Sequence, residues 1–134
     1  MKVKNDKSWQ VSAGSVQLGA VVNGILVGLA TAMAGGIVLG ALTLQVLAVE
    51  THLSTIAGVW GVVSVLAGAF SAGRRAGAKG WLNGGLTGIM LVLVATGLSM
   101  IIARGTVTWL GLGRNLLIGL VGGAVAGTIG VNIE

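Results

Sequence analysis

Apolar residues fill four stretches of the chain almost without interruption, and charged residues gather mainly between them. The stretches run from about Val16 to Val49, Leu53 to Ala72, Trp81 to Ala103 and Trp109 to Ile133, the last with Arg114 near its start. About 20 apolar residues carry a helix across a hydrocarbon core roughly 30 Å thick. Lipid offers no partner to a bare backbone N–H or C=O, so a spanning segment is helical or belongs to a closed barrel, and barrel strands alternate apolar with polar residues. This chain does not alternate. The pattern predicts an all-α polytopic membrane protein: one membrane domain over residues 1–134, built as a four-transmembrane-helix bundle, with 1–15 as a cytoplasmic N-terminal segment. The first run is long. Wholly helical, it would reach about 50 Å, so it is expected to tilt, to project beyond the bilayer, or to bend near Gly35 and Gly36.

Small residues recur at every fourth position within these runs. Ala20, Gly24, Gly28, Ala32, Gly36 and Gly40 form an unbroken series in the first helix. Ser64, Gly68 and Ala72 continue the theme in the second helix, Gly80, Gly84 and Gly88 in the third, and Gly119, Gly123 and Gly127 in the fourth. Apolar bulk gives helices no reason to associate in lipid, whereas close backbone approach across a small-residue groove does. These grooves are candidate surfaces for packing the four helices together or for binding a partner. The series in the first helix is expected to make contact along its whole membrane depth.

The sequence also repeats itself weakly. Asn23-Gly24 through Gly28 in the first helix matches Asn83-Gly84 through Gly88 in the third, and Ala67-Gly68 aligns with Ala126-Gly127. This suggests two helical hairpins in parallel orientation. Asn23 and Asn83 would then occupy equivalent places, either as clamps between helices or as the lining of a small polar vestibule.

Composition supports the membrane reading. Only 8% of the 134 residues are charged, against about 25% in an ordinary soluble domain. The net charge of +5 points to topology rather than nucleic acid, since no basic face or row of stacking aromatics accompanies it. Lys2, Lys4, Lys7, Arg74, Arg75 and Lys79 fall on one side of the predicted bundle, and Arg104 and Arg114 on the other. The positive-inside bias therefore predicts that both termini are cytoplasmic. Ala32-Met33-Ala34 resembles a signal-peptide cleavage site, but the apolar run continues past it, so an uncleaved first helix is expected.

Residues able to do chemistry are scarce. There is no Cys, one His and three acidic residues, which removes thiolate chemistry and leaves acid–base catalysis almost nothing to use. No cofactor, metal or catalytic site is expected. Glu50 and His52 are too close in sequence to face each other on a helix and lack a third ligand, so they read as a wet loop with an ion pair to Arg. Arg104 and Arg114 have a second reading, as contacts to lipid phosphates. Arg74, Arg75 and Lys79 read as topology determinants that also meet anionic lipid. No ionisable residue lies near the midplane, which argues against an ion- or proton-coupled carrier.

The basic start, the Gly-rich spans, the Asn-Gly pairs of the first and third helices and the Arg-Arg-x-Gly-x-Lys-Gly loop (Arg74 to Gly80) resemble an uncharacterised family of small bacterial four-span membrane proteins. The resemblance implies a bacterial plasma membrane and no active site. The small multidrug-resistance carriers share size and span count but depend on a Glu within the first helix, which has none before Glu50 here. The expected function is non-enzymatic: an accessory or structural subunit, surrounded by membrane lipid, that binds a second copy of itself or another membrane protein through its glycine grooves. The alternative is a small oligomeric channel or passive transporter.

Overall fold

The computed structural model of the protein describes residues 16–45, 52–104 and 106–133. Within them the chain forms four α-helices: α1 (Leu18–Gln45), α2 (Leu53–Ala76), α3 (Gly80–Ala103) and α4 (Trp109–Asn132). Each is long and apolar enough to cross a membrane, and the chain is a multi-pass membrane protein. α2, α3 and α4 have 24 residues each and measure about 36 Å, while the 28 residues of α1 measure about 42 Å. α1 runs through Gly35 and Gly36 as unbroken helix, and the rest of the predicted first run, 46–49, lies outside the described residues. α2 continues one turn beyond the predicted Ala72, to Ala76.

The α2–α3 connection is very short. Gly77 ends α2 at φ 62, in the left-handed region that glycine enters without a Cβ clash. Lys79 then adopts φ 48, unusual for a side chain with a Cβ, and its carbonyl accepts the N–H groups of Leu82 and Asn83 at 3.1 and 3.4 Å. At the other end of α3, Arg104 closes the helix at φ 47, where glycine is the common choice. Thr108 caps α4 by accepting the Gly111 N–H at 3.3 Å.

α2 and α3 occupy the middle, with α1 and α4 on opposite flanks. α1 lies mainly on α2 and partly on α3, and α4 packs on both α3 and α2. The packing is uneven along the membrane normal. Buried positions gather in the first half of α1, the second half of α2, the first half of α3 and the second half of α4. All four lie at the end that carries the α2–α3 loop. Towards the opposite end the helices diverge, and Ile37, Leu44, Val59, Ile101 and Leu110 are exposed. We call these the closed end and the splayed end.

Candidate functional site

The closed end is held by backbone contact. A methyl group added at Gly24 would stand 2.6 Å from the Gly68 carbonyl and 2.7 Å from the Ala72 Cβ. At Gly28 it would stand 2.6 Å from a Leu91 methyl and 3.2 Å from the Ser64 carbonyl. The α3–α4 seam is tighter still. Gly84 lies against Gly123 and Gly127, Gly88 against Gly119, and the carbonyls of Gly80 and Gly84 touch Gly127 and Gly123 in return. Gly73 and Gly130 seal α2 against α4 in the same way, meeting Gly127 and the Phe70 carbonyl. Such approach lets dispersion and Cα–H···O contacts hold helices together where hydrophobicity cannot.

The two hairpins are built alike but one turn out of the predicted alignment. Gly68 lies against the Gly24 carbonyl and the Gly28 Cα, and Gly123 lies against the Gly84 carbonyl and the Gly88 Cα. Gly68 thus corresponds to Gly123 rather than Gly127.

One expectation for α1 needs correction. Ala20, Gly24 and Gly28 are buried, but Ala32, Gly36 and Gly40 are exposed, and nothing lies within 4 Å of a Cβ placed at Gly36 or Gly40. The contact passes instead through Val21, Gly24, Gly28, Thr31 and Gly35. The reason is helical geometry. Steps of four residues turn about 400°, so a strict four-residue series drifts about 40° per step, whereas alternating steps of three and four stay on one face. By Ala32 the series has rotated off the seam.

Gly35 is where the seam continues, and its partner is Trp60. The indole lies directly on Gly35, and its Nε1–H donates to the Thr31 carbonyl at 3.1 Å. Trp60 lies about two turns inside α2, a poor position for an interfacial anchor. The structure gives it a different task, fastening α2 to α1.

Polar side chains at the closed end act as clamps. Asn83 is fully buried. Its Oδ1 accepts the backbone N–H of Gln17 at 2.9 Å, and its Nδ2 donates towards the carbonyls of Lys79 at 3.3 Å and Ala78 at 3.5 Å. Gln17 Nε2 donates to the Ala76 carbonyl at 2.8 Å. Asn83 therefore ties the start of α1 and the α2–α3 loop to α3. Asn23 does something else: its Nδ2 donates to Ser71 Oγ at 3.0 Å and its Oδ1 accepts from Arg75 Nη1 at 2.6 Å. The two Asn residues bind different partners and do not share a polar vestibule. Asn23 lines only a shallow cleft with Phe70, Ser71, Arg74 and Arg75.

The splayed end holds the larger opening, a wedge of about 500 Å³ between α2, α3 and α4. Leu66, Leu91, Gly119 and Gly122 form its lining nearest the closed end, and Thr106 to Thr108 stand at its mouth. Its walls are mainly apolar, with Thr96, Ser99 and Asn115 among them. These three make no hydrogen bond among the described residues. That sets them apart from Thr31, Thr43, Ser64, Thr87 and Thr128, whose hydroxyls donate to the carbonyl four residues earlier. Nothing in the spacing of Thr96, Ser99 and Asn115 announced the wedge, because they come from two different helices.

Among the described residues no three His, Asp or Glu side chains come together as metal ligands. His52 is exposed at the start of α2, and Glu50 lies outside the described residues, as do Lys2, Lys4, Lys7 and Trp9.

Nothing among curated proteins or solved structures matches this chain. One family model does, over residues 17–130, which take in all four helices but for the last two residues of α4. The match covers far more than half the chain, and the chain belongs to the family described as protein of unknown function (DUF3792).

Proposed function

We propose that the protein is a non-enzymatic structural or accessory subunit of a bacterial plasma membrane, with both termini cytoplasmic, that binds a second copy of itself or another membrane protein. The binding surface is the part of the α1 series that its own helices leave uncovered: Ala32, Gly36 and Gly40. One observation carries this reading. Gly24, Gly28, Gly84, Gly88, Gly119, Gly123 and Gly127 are all occupied within the monomer, whereas Gly36 and Gly40 face open space on a helix that outreaches the others. The channel alternative has less support, since Thr31, Thr43, Ser64, Thr87 and Thr128 turn their hydroxyls onto their own backbone.

The chain has no Cys, so single cysteines report cleanly. Under oxidation in native membranes, Ala32→Cys, Gly36→Cys and Gly40→Cys should give cross-linked dimers, and Val38→Cys should not. A stoichiometric partner, lost in Gly36→Leu/Gly40→Leu, would support binding to another protein instead. If cross-links show no preference for these positions and no partner is lost, the reading falls. Orientation is tested by labelling intact cells with an impermeant thiol reagent. Ala78→Cys should be shielded and Thr106→Cys labelled. Ala78 serves better than Gly77, whose φ of 62 would strain any side chain.

A further inference from the structure

The wedge at the splayed end is separate from the α1 stripe, and its chemistry is more specific. Its volume of about 500 Å³ lies in the range of roughly 300–1,000 Å³ occupied by bound small molecules. A transmembrane helix about 10 Å across, lying over half the bilayer depth, would displace roughly 1,200 Å³. The wedge is too small for that and wide enough for a hydrocarbon chain. The lining nearest the closed end is apolar, with Leu66, Leu91 and Val92. Nearer the mouth, Ser99 and Asn115 carry polar groups without hydrogen-bond partners among the described residues.

Charge at the rim points the same way. Arg104 ends α3 two residues before Thr106, which stands at the mouth. Arg114 precedes Asn115 on α4, and at about 100° per residue it stands about 40° beyond the lining residue Ile118. Both Arg residues are exposed. An apolar slot with Arg104 and Arg114 close in the chain to its lining residues complements an amphiphile with a hydrocarbon tail and an anionic head, and guanidinium suits phosphate in particular.

We infer that the wedge binds one anionic phospholipid, an acyl chain lying between α2, α3 and α4 and the phosphate at the level of Arg104 and Arg114. Ser99 and Asn115 meet the glycerol and ester oxygens below the phosphate. The lipid fills space that the diverging helices leave open and joins the three of them at the splayed end.

The test is titration of the purified chain in neutral detergent with dioleoyl-phosphatidylglycerol and, separately, dioleoyl-phosphatidylcholine, read by native mass spectrometry. Wild type should retain one phosphatidylglycerol per chain with about tenfold preference over phosphatidylcholine, the scale expected for cations near an anionic headgroup. Gly58→Phe/Ala95→Phe fills the slot from opposite walls. A Cβ at Gly58 meets nothing and Ala95 is exposed, so this variant should fold and lose the lipid. Arg104→Gln/Arg114→Gln, which alters only exposed side chains, should keep one lipid and lose the preference. Equal retention of both lipids by wild type overturns the proposal, as does undiminished phosphatidylglycerol in the filled variant. A filled variant that turns a dimer into a monomer assigns the wedge to a second copy and also overturns it. If the filled variant aggregates, the Arg variant decides: an unchanged preference rejects the site.

Discussion

At the closed end, Gly24, Gly68, Gly84, Gly123 and Gly127 stand where a single methyl group would collide with a neighbouring backbone. At the splayed end, Gly36, Gly40, Gly58, Gly61, Gly97 and Gly113 stand where a methyl group would meet nothing within 4 Å. The same residue type, in helices of similar length and hydropathy, does opposite things at the two ends. What separates them is register. A glycine matters to packing where three- and four-residue steps keep it on the seam and a neighbouring helix meets it there, with a second glycine as at Gly84 or an indole as at Gly35. Elsewhere it lowers helix propensity and leaves a smooth surface for something outside the helix to use.

The comparison can be broken most forcefully at the α3–α4 seam. Gly84→Leu should destabilise the purified protein by about 3 kcal/mol or more, because its Cβ already collides with the backbone of Gly123 and Gly127 and cannot be relieved by a side-chain rotation. Gly36→Leu should not lower the melting temperature of the monomer, since its side chain meets open space and Leu is the better helix former. Gly28→Leu belongs with Gly84→Leu, although the flexible Leu91 methyls can yield part of the way, so its melting shift should be smaller. Equal melting temperatures for Gly84→Leu and Gly36→Leu would erase the distinction between the ends.

Asn83→Leu tests the polar side of the closed end. It strands the Gln17 N–H and removes the donor to the loop carbonyls, which should cost about 1–3 kcal/mol. Limited proteolysis should then cut the α2–α3 loop faster, and an unchanged rate would show that the loop is held by its short length alone.

Trp60→Phe sharpens the boundary between the ends. The ring still covers Gly35, but the bond to the Thr31 carbonyl is lost, a change of about 1 kcal/mol by analogy with other interhelical bonds in lipid. Trp60→Ala, which also uncovers Gly35, should lower the melting temperature further. Equal effects would mean that the indole surface contributes nothing.

The smallest effect is expected at Gly61→Ala. Its Cβ meets open space and its backbone is helical, so stability should rise by about 0.5–1 kcal/mol through helix propensity. A loss in the melting curve would reveal close packing at the splayed end.

Much of the closed end was legible before any coordinates. Gly24, Gly28, Gly84, Gly88, Gly119, Gly123 and Gly127 stood out by spacing alone, and every one lies in an interhelical contact. The contribution of Trp60 was not legible, because a tryptophan inside a span is ambiguous until the glycine opposite it is known. The parity of Asn23 and Asn83 misled for a related reason. Their local sequences match, but hydrogen bonds depend on the neighbouring element: for Asn83 this is the start of α1 and the tight loop, and for Asn23 it is Ser71 and Arg75 on α2. The wedge had no signature at all, since an empty space is a property of several helices together.

Four apolar stretches are enough to make this chain a multi-pass membrane protein with four spanning helices. That follows from an additive quantity, the transfer of each apolar stretch from water to lipid, together with the rule that lipid tolerates no unpaired backbone. The sequence also determines which residues are small enough for close approach. Packing between helices selects which of those positions are used, carries the seam of α1 from Gly28 to Gly35 with Ala32, Gly36 and Gly40 exposed, and closes the bundle at one end while opening it at the other. Helix packing in lipid is governed by short-range contact that fades within an ångström or so of misfit, so it depends on the relative rotation and tilt of helices, which no single helix carries in its own sequence.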